Sequence, residues 1–421
     1  MLDINFIREN KEKVIDAAKQ KGVDIDINRL LEVDQTRREL IKKVDDLRAQ
    51  RNEAAKNRDI EKGRQIKSEL DTWELELKEA QERFEHQMSF IPNVPLPAVP
   101  RGDESNNKVI KKAGEVPNFN FTVRDHLELA EMLDIVDIPR ATKVSGSRFY
   151  YLKNEGVLLE LALLQYALKK LMAEGFSPIF PPALIKQDIT QGLGYWAGGN
   201  HNNYYLVQDF EEVEKGVENP NPLYLIGTAE HALVPMHKDE VFKEEALPKK
   251  YVGFSPSFRR EAGTYGKDTR GILRVHQFNK VEMVAFVRVE DDQETRKHLL
   301  NLAESFMQDL RLPYQVVQLA SGDTSFPAAE TIDIETWLPG QDKYRETHSI
   351  STTTDFQARR LNIKYKDQSG QMKFVYILNG TAFAIGRTLI AILENYQQED
   401  GSVKVPEVLI PYTGFDVIKP K

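Results

Sequence analysis

The chain contains no cysteine. Disulfides and thiolate metal sites are therefore excluded, and the usage fits a reducing compartment. No stretch approaches the roughly 18 apolar residues of a membrane span, and the mean hydropathy of −0.49 describes a globular chain. The opening MLDINFIRENKEKV mixes acids and bases without an apolar centre, so neither a secretory signal nor an Arg/Ser-rich transit peptide is read there, and the expected location is the cytoplasm. Positive net charge is also missing: 57 Lys and Arg against 65 Asp and Glu leave −8, the wrong sign for a protein that coats nucleic acid. Any RNA binding must come from a local basic patch. Neither His276 nor His348 has a second histidine at ligand spacing, so no zinc site is read.

What is present begins with a heptad seam through Leu30, Val33, Arg37, Leu40, Val44, Leu47, Arg51 and Ala54. A polar stretch, Asn57 to Arg64, follows, with Gly63 expected as the turn residue. A second seam then runs Ile66, Leu70, Trp73, Leu77, Ala80 and Phe84. Two apolar stripes joined by a short polar turn predict an antiparallel helical hairpin over about 28–90, because neither helix can bury its stripe alone. At 1.5 Å per residue, some 30 residues make an arm roughly 45 Å long. Between Arg37 and Lys67 eleven Lys and Arg stand against six Asp and Glu, a basic excess inside an acidic chain. The prolines of IPNVPLPAVPR then forbid a helix, which puts a domain boundary near residue 100 and predicts domains 1–100 and 101–421.

Beyond it, a helical stretch near Val157 to Ala173 precedes short β-rich runs: LYLIG, YVGFSPSFRRE, GILRVHQFNKVEMVAFV, YQVVQLA, TIDIETWLP and KFVYILNG. Helices are expected near Asp291–Leu310 and Phe383–Tyr396. Strands joined by turns rather than by regular crossover helices predict a mainly antiparallel sheet, hence an α+β fold. In FRRE, Arg259 and Glu261 lie two apart and so on one strand face, followed by the Gly-rich charged tract AGTYGKDTRG. That arrangement suits a phosphate and a donor group.

GFSPIFPP, the FRRE hairpin and LNGTAFAIGR resemble, in order, motifs 1, 2 and 3 of the class II aminoacyl-tRNA synthetases (about 160–184, 251–287 and 374–397). Together with KVSGSRFYYL, Thr228-Ala229-Glu230, HQFNKVE, WLPGQ, TDFQARR and LENYQ, they are similar to the seryl-tRNA synthetases of bacterial type over nearly the whole chain. The resemblance implies a two-helix tRNA-binding arm before a class II catalytic domain, and an enzyme that activates serine with ATP and passes it to tRNA(Ser), with tRNA(Sec) as a further candidate. A homodimer and Mg2+ are implied as well. By the same resemblance, Arg259 meets the α-phosphate, with Arg260 beside it. Glu261 accepts from the adenine amino group, Phe278 stacks on adenine, and Arg387 holds the γ-phosphate. Glu346, Thr347, His348 and Ser349 lie along the nucleotide, with Glu346 and Ser349 ligating the metal. Thr228, Ala229, Glu230, Arg259, Glu282 and Thr381 form the serine site, with Glu282 pairing the amino group. Arg259, Arg387 and Glu346 carry the chemistry. Arg37, Arg38, Lys42, Arg48, Arg51, Lys56 and Arg58 are the expected tRNA contacts, with Arg37 and Arg51 reaching outward from the seam.

The sequence departs from the family pattern at Gly194–Tyr204, at Glu330, at ETHS and at Phe383. Asp333 and Glu335 share a strand face and are expected to support structure or metal rather than acid–base chemistry. The rival reading is a silent paralogue that binds RNA or protein with the same fold. Loss of Arg259, Glu261 or Arg387 would favour it, and all three are present.

Overall fold

A computed structural model describes residues 1–195, 202–217, 219–262 and 271–421. The chain divides into two compact units, Met1–Val94 and Pro95–Lys421.

In the first unit, α1 (Ile4–Glu9) and α2 (Lys11–Gln20) precede the long antiparallel pair α3 (Ile27–Lys56) and α4 (Ile60–Ser89). The expected seams meet: Val44, Leu47 and Ala54 pack with Ile66 and Leu70, flanked by Trp73 and Leu77. The turn, however, is not made by Gly63, which lies inside α4. Arg58 turns the chain at φ +57°, and the Asp59 carboxylate caps α4 by accepting from Lys62 N–H at 3.0 Å. Arg37 also differs from expectation. Its guanidinium sits 4.2 Å from the Phe84 ring centroid and donates to Asp34 at 3.0 Å and Gln81 at 3.2 Å, so it is held in the seam rather than turned outward.

Asp34 explains why. Its carboxylate is buried and takes hydrogen bonds from Arg8 Nε at 2.8 Å and from Arg37, with Arg38 Nε at 3.3 Å, which ties α1 to α3. Burial alone would raise this carboxyl, but the bonds from Arg8 and Arg37 hold it below its usual range.

In the second unit, eight strands form the main sheet: β1 (Lys108–Ala113), β2 (Ser177–Ile179), β3 (Lys249–Phe258), β4 (Gln277–Val287), β5 (Tyr314–Gln318), β6 (Glu330–Leu338), β7 (Lys343–Thr354) and β8 (Tyr376–Ala384). Their order is β1-β5-β6-β7-β8-β4-β3-β2, with every pairing antiparallel except β2 beside β3. Around them lie α5 (Asn154–Ala173), α6 (Gln187–Leu193), α7 (Glu230–Leu233), α8 (Asp292–Asp309), α9 (Phe356–Leu361) and α10 (Ile385–Asn395). Leu223–Leu225, expected as part of the sheet, instead belongs to a separate three-stranded sheet. Three strands of the main sheet were not anticipated: β1, the short β2 within GFSPIFPP, and β7. β1 carries Lys108, Lys111 and Lys112, charges that guard a free sheet edge, and β7 is rich in Ser and Thr, which β-structure accepts more readily than helix. The core joins Leu159 and Leu163 of α5, Leu299 and Phe306 of α8 and Leu389 and Ile390 of α10 to Val281, Met283, Ile334, Ile350 and Phe383 of the sheet.

Asp34→Ala should cost the helical arm about 2–3 kcal/mol, the range for hydrogen bonds to a charged group whose partners can rehydrate. Glu74→Ala, which breaks an exposed pair with Arg48 at 2.9 Å, should cost less than about 1 kcal/mol. A carboxyl whose folded-state pKa is depressed stabilises above its unfolded value and ceases to do so as pH falls through the folded one. The Asp34 difference should therefore be full at neutral pH and shrink below about pH 4. Urea unfolding of the full chain across pH reads both effects; equal, pH-independent losses in the two variants would contradict this account.

Candidate active site

Alternation along four neighbouring strands creates the site. Phe278, Lys280 and Glu282 of β4, Asn379 and Thr381 of β8, Glu346, Ser349 and Ser351 of β7, and Thr331, Asp333 and Glu335 of β6 line a cavity of about 760 Å3. Their intervening neighbours enter the core. Glu282 lies opposite Thr381, Asp333 opposite Ser349 and Glu335 opposite Glu346, so the polar groups meet as cross-strand pairs. Irregularities at Val281/Glu282 and at Ile334/Glu335 keep these pairs on one face.

At one end of the cavity stand two buried carboxylates. Glu282 pairs with Lys280 Nζ at 2.8 Å and accepts from the Thr381 hydroxyl at 3.1 Å. Glu230 opens the short α7, where its N–H donates to the Thr228 hydroxyl at 3.4 Å. Its carboxylate accepts from the Tyr195 hydroxyl at 2.9 Å and from Gln357 Nε2 at 2.9 Å. Burial, with Glu282 adding like charge, pushes the Glu230 carboxyl up to about 7. Beside it, burial first and then Arg259 and Lys280 push His231 down to about 3, so its neutral ring can accept from Gly227 N–H through Nδ1 at 3.2 Å.

Elsewhere in the lining the charges are complementary. Arg259 donates from Nε to the Gly227 carbonyl at 3.2 Å, and its guanidinium lies 5.5 Å from the Phe278 ring centroid. Arg387, on the first turn of α10, reaches Glu346 through the carboxylate at 3.0 Å and the carbonyl at 2.9 Å. Glu261, at φ +48°, receives Arg274 Nη1 at 3.4 Å. Burial would raise the Glu346 carboxyl, yet Arg387 holds it below the usual range. Burial, then the charge of Glu346, pushes Asp333 well above it, and Asp333 Oδ1 is buried with no hydrogen-bond partner. Carboxylates crowded on one face with a spare lone pair and a neighbouring hydroxyl suit a hard divalent cation such as Mg2+. Among the described residues no group of three or more His, Cys, Asp or Glu is placed to hold a metal ion on its own, so the nucleotide would have to supply part of any Mg2+ site.

Four expected site residues turn elsewhere. The His348 side chain is buried among core groups, 5.9 Å from the Phe383 ring; burial pushes it down to about 4, and it does not line the cavity. The irregular pairing beside Thr347 places the His348 ring on the core face. The Thr347 hydroxyl, at the cavity margin, is engaged by Thr336 at 2.7 Å. The Ala229 methyl packs toward Gly253 on β3. Arg260 is exposed outside the lining, its N–H donating to the Asn203 carbonyl at 3.0 Å. Residues 196–201 of the Gly194–Tyr204 segment and 263–270 of the motif 2 tract lie outside the described residues. Three residues that sequence reasoning left without a role, Tyr195, Lys280 and Asn379, line the cavity, and Gln357 supports it. For Lys280 the signal was available, since it stands between Phe278 and Glu282 at the two-residue period.

A mainly antiparallel sheet carrying its polar groups on one face, with Arg259 just past the end of β3 and Arg387 on the helix that follows β8, defines a class II tRNA synthetase core. Residues 210–396 match the family model for the tRNA synthetase class II core domain (G, H, P, S and T), and residues 1–95 match that for the seryl-tRNA synthetase N-terminal domain. The serine–tRNA ligase of Dictyoglomus turgidum is 42% identical over 435 residues, covering 100% of both chains. The crystal structure of seryl-tRNA synthetase from Pyrococcus horikoshii complexed with ATP superposes with a TM-score of 0.90 at 38% identity, covering 100% of each chain. That of the cytoplasmic serine–tRNA ligase from Naegleria fowleri in complex with AMP gives 0.86 at 32%, covering 100% of this chain and 99% of that one. The chain belongs to the seryl-tRNA synthetase family.

Proposed function

We propose that this chain is an ATP-dependent serine–tRNA ligase whose residues 101–421 perform the chemistry and whose residues 1–100 grip the tRNA. The observation that carries the reading is a single cavity that brings two buried carboxylates and two threonine hydroxyls together with Arg259 and Arg387. The serine carboxylate attacks the α-phosphorus of ATP; a P–O bond forms, the bond to pyrophosphate breaks, and seryl-adenylate results. The terminal ribose hydroxyl of tRNA then attacks the carbonyl carbon and AMP departs. No side chain is covalently modified, so the residues act by position and charge. Arg259 faces the α-phosphate, Phe278 and Glu261 the adenine, and Arg387 the terminal phosphate. Glu282 pairs with the amino group of serine, while Thr381 and Thr228 face its polar atoms. Glu346 and Ser349 would hold Mg2+, which would neutralise phosphate charge. Alanine entering this site would leave buried polar groups without partners, which is the physical basis of discrimination. The reaction belongs in the cytoplasm; among the described residues no helix is long and apolar enough to cross a membrane.

Pyrophosphate exchange should require serine and Mg2+, and Glu282→Ala should cut serine use by about a hundredfold while leaving ATP binding within about twofold. Exchange driven equally by alanine, glycine or threonine would refute the specificity.

The arm's role rests on its free cations. Lys42, Arg51, Lys56 and Arg58 are exposed and form no ion pair among the described residues, whereas Arg48 is engaged by Glu74 and Arg38 by Asp34. These cations neutralise phosphates of tRNA(Ser), and of tRNA(Sec) where that RNA is present, through salt-sensitive contacts. Arg51→Glu combined with Lys56→Glu should depress serylation of both RNAs at least about tenfold, with a flatter salt dependence, and leave exchange intact. Unchanged serylation would remove the arm from RNA binding.

The α5 face bearing Val157, Leu158, Leu161 and Met172 is exposed, as is Phe180 after β2. Apolar surface of this extent in the motif 1 region supports a two-fold homodimer interface. Leu158→Asp with Leu161→Asp should convert a dimer to a monomer in sedimentation velocity; a monomeric unmodified protein would rule the interface out.

A further inference from the structure

The two carboxylates at the amino-acid end are held in different ways. Glu282 already has a cation, Lys280, at 2.8 Å. Among the described residues, the hydrogen bonds to the Glu230 carboxylate come from neutral donors: the Tyr195 hydroxyl lies 2.9 Å from both carboxylate oxygens, and Gln357 Nε2 lies 2.9 Å from one of them. Both donors are themselves fixed. The Gln357 amide is oriented by the Thr353 hydroxyl, which donates to its Oε1 at 3.3 Å, leaving the NH2 group for Glu230 and, at 3.4 Å, the Leu193 carbonyl. The same hydroxyl lies 3.1 Å from the Ile377 carbonyl and shares its one hydrogen between the two acceptors, which ties the amide to the sheet. The Tyr195 ring packs 4.9 Å from the His231 ring. The segment bearing Tyr195 is clasped by α9, where Arg360 donates to the carbonyls of Gln191 at 2.8 Å and Gly192 at 3.2 Å. α9 therefore holds both walls around Glu230: one directly through Gln357, the other through the end of α6.

We propose that Tyr195 and Gln357 are positioning residues: they fix the Glu230 carboxylate at the amino-acid end of the cavity, where it stands with Glu282 around the ammonium group of serine. The inference rests on the seryl-activation reading above. Among the described residues this buried carboxylate makes no direct ion pair, and a substrate ammonium supplies one at the end of the cavity where Thr228 and Thr381 wait for a small hydroxyl side chain. Donors to the charged form favour it, so removing them makes the carboxyl harder to ionise. The charged or titratable groups around Glu230 are Tyr195, Tyr204, His231, Arg259, Lys280 and Glu282. Of these, His231 is held neutral by burial, and the two tyrosines are pushed above their ordinary value. Glu230 itself, pushed up to about 7 by burial, changes its ionisation near neutrality.

Tyr195→Phe and Gln357→Met, singly and together, test this by serine-dependent pyrophosphate exchange at about pH 7 and about pH 8.5. Each single variant should raise the KM for serine roughly tenfold at the lower pH and keep the KM for ATP within about twofold, and the serine defect should shrink at the higher pH as Glu230 ionises. A thermal melt reports folding; should Gln357→Met fail to fold, Tyr195→Phe alone decides. An unchanged serine KM, or an equal rise in both KM values without relief at higher pH, overturns the proposal while the seryl reading stands. Absence of serine-dependent exchange in the unmodified protein overturns both.

Discussion

A β-strand sends successive side chains to opposite faces, and four adjacent strands must keep that alternation in phase for this cleft to exist. Shifting β4 by one residue would move Phe278, Lys280 and Glu282 to the core and Val281 and Met283 to the cavity, placing two buried charges against α8 and α10 without partners. The apolar face is therefore more than support. The cost of misplacing a charge under those helices is what fixes the polar face. Where the β4–β8 and β6–β7 pairings would drift out of phase, an irregularity restores them, so that Glu282 still meets Thr381 and Asp333 still meets Ser349.

The same face concentrates charge in a place where water screens it poorly. Cations and carboxylates are interleaved: Lys280 with Glu282, Arg387 with Glu346, Arg274 with Glu261. Each pairing offsets part of the desolvation of its members. Asp333 and Glu230 fall outside the scheme, and both are pushed upward, burial being the main cause in each. They lie on opposite sides of the cavity's function as read here, Asp333 near the metal and phosphate ligands and Glu230 near the amino acid. A ligand that brings an ammonium group and a phosphate-bound divalent cation carries positive charge of the kind both ends are short of, which makes joint binding of amino acid and nucleotide electrostatically reinforcing.

How far the sequence announced this differs by element. The hairpin was legible because seven-residue spacing over two stretches has one economical solution, and the antiparallel sheet because its strands follow one another through turns. Glu282, Thr381 and Arg387 come together because each sits on a strand or a helix start whose phase could be counted, whereas Arg259 and Glu261, expected on one strand face, lie beyond the end of β3, where Glu261 takes a positive φ and both still line the cavity. ETHS resisted the same counting: the irregular pairing beside Thr347 reverses the parity, and His348 points into the core instead of along the nucleotide. Gly63 misled because glycine is the usual turn residue, whereas here Arg58 adopts the positive φ and Asp59 supplies the cap. Tyr195 and Gln357 could not be read at all. Their roles depend on contacts across 35 and 127 residues of sequence, and neither periodicity nor local motif records such contacts.

The arm shows how one stretch of basic sequence can serve two purposes in order along a helix. Near the start of α3, Arg37 and Arg38 converge with Arg8 on the buried Asp34, and Arg37 also covers the Phe84 ring. These cations are used by the fold, and replacing one would leave Asp34 short of a donor. Midway, Arg48 is shared with Glu74 on α4, and Lys43 lies over the Trp73 ring. Toward the turn, Arg51, Lys56 and Arg58 have no acidic partner among the described residues, and the seam beneath them narrows to Ala54. A basic run read only as a count of charges would treat all of these alike. The gradient from consumed to free charge says otherwise. The end of the hairpin that contributes least to its own packing keeps its charges available for an RNA backbone, and the end that carries the packing holds its charges in place.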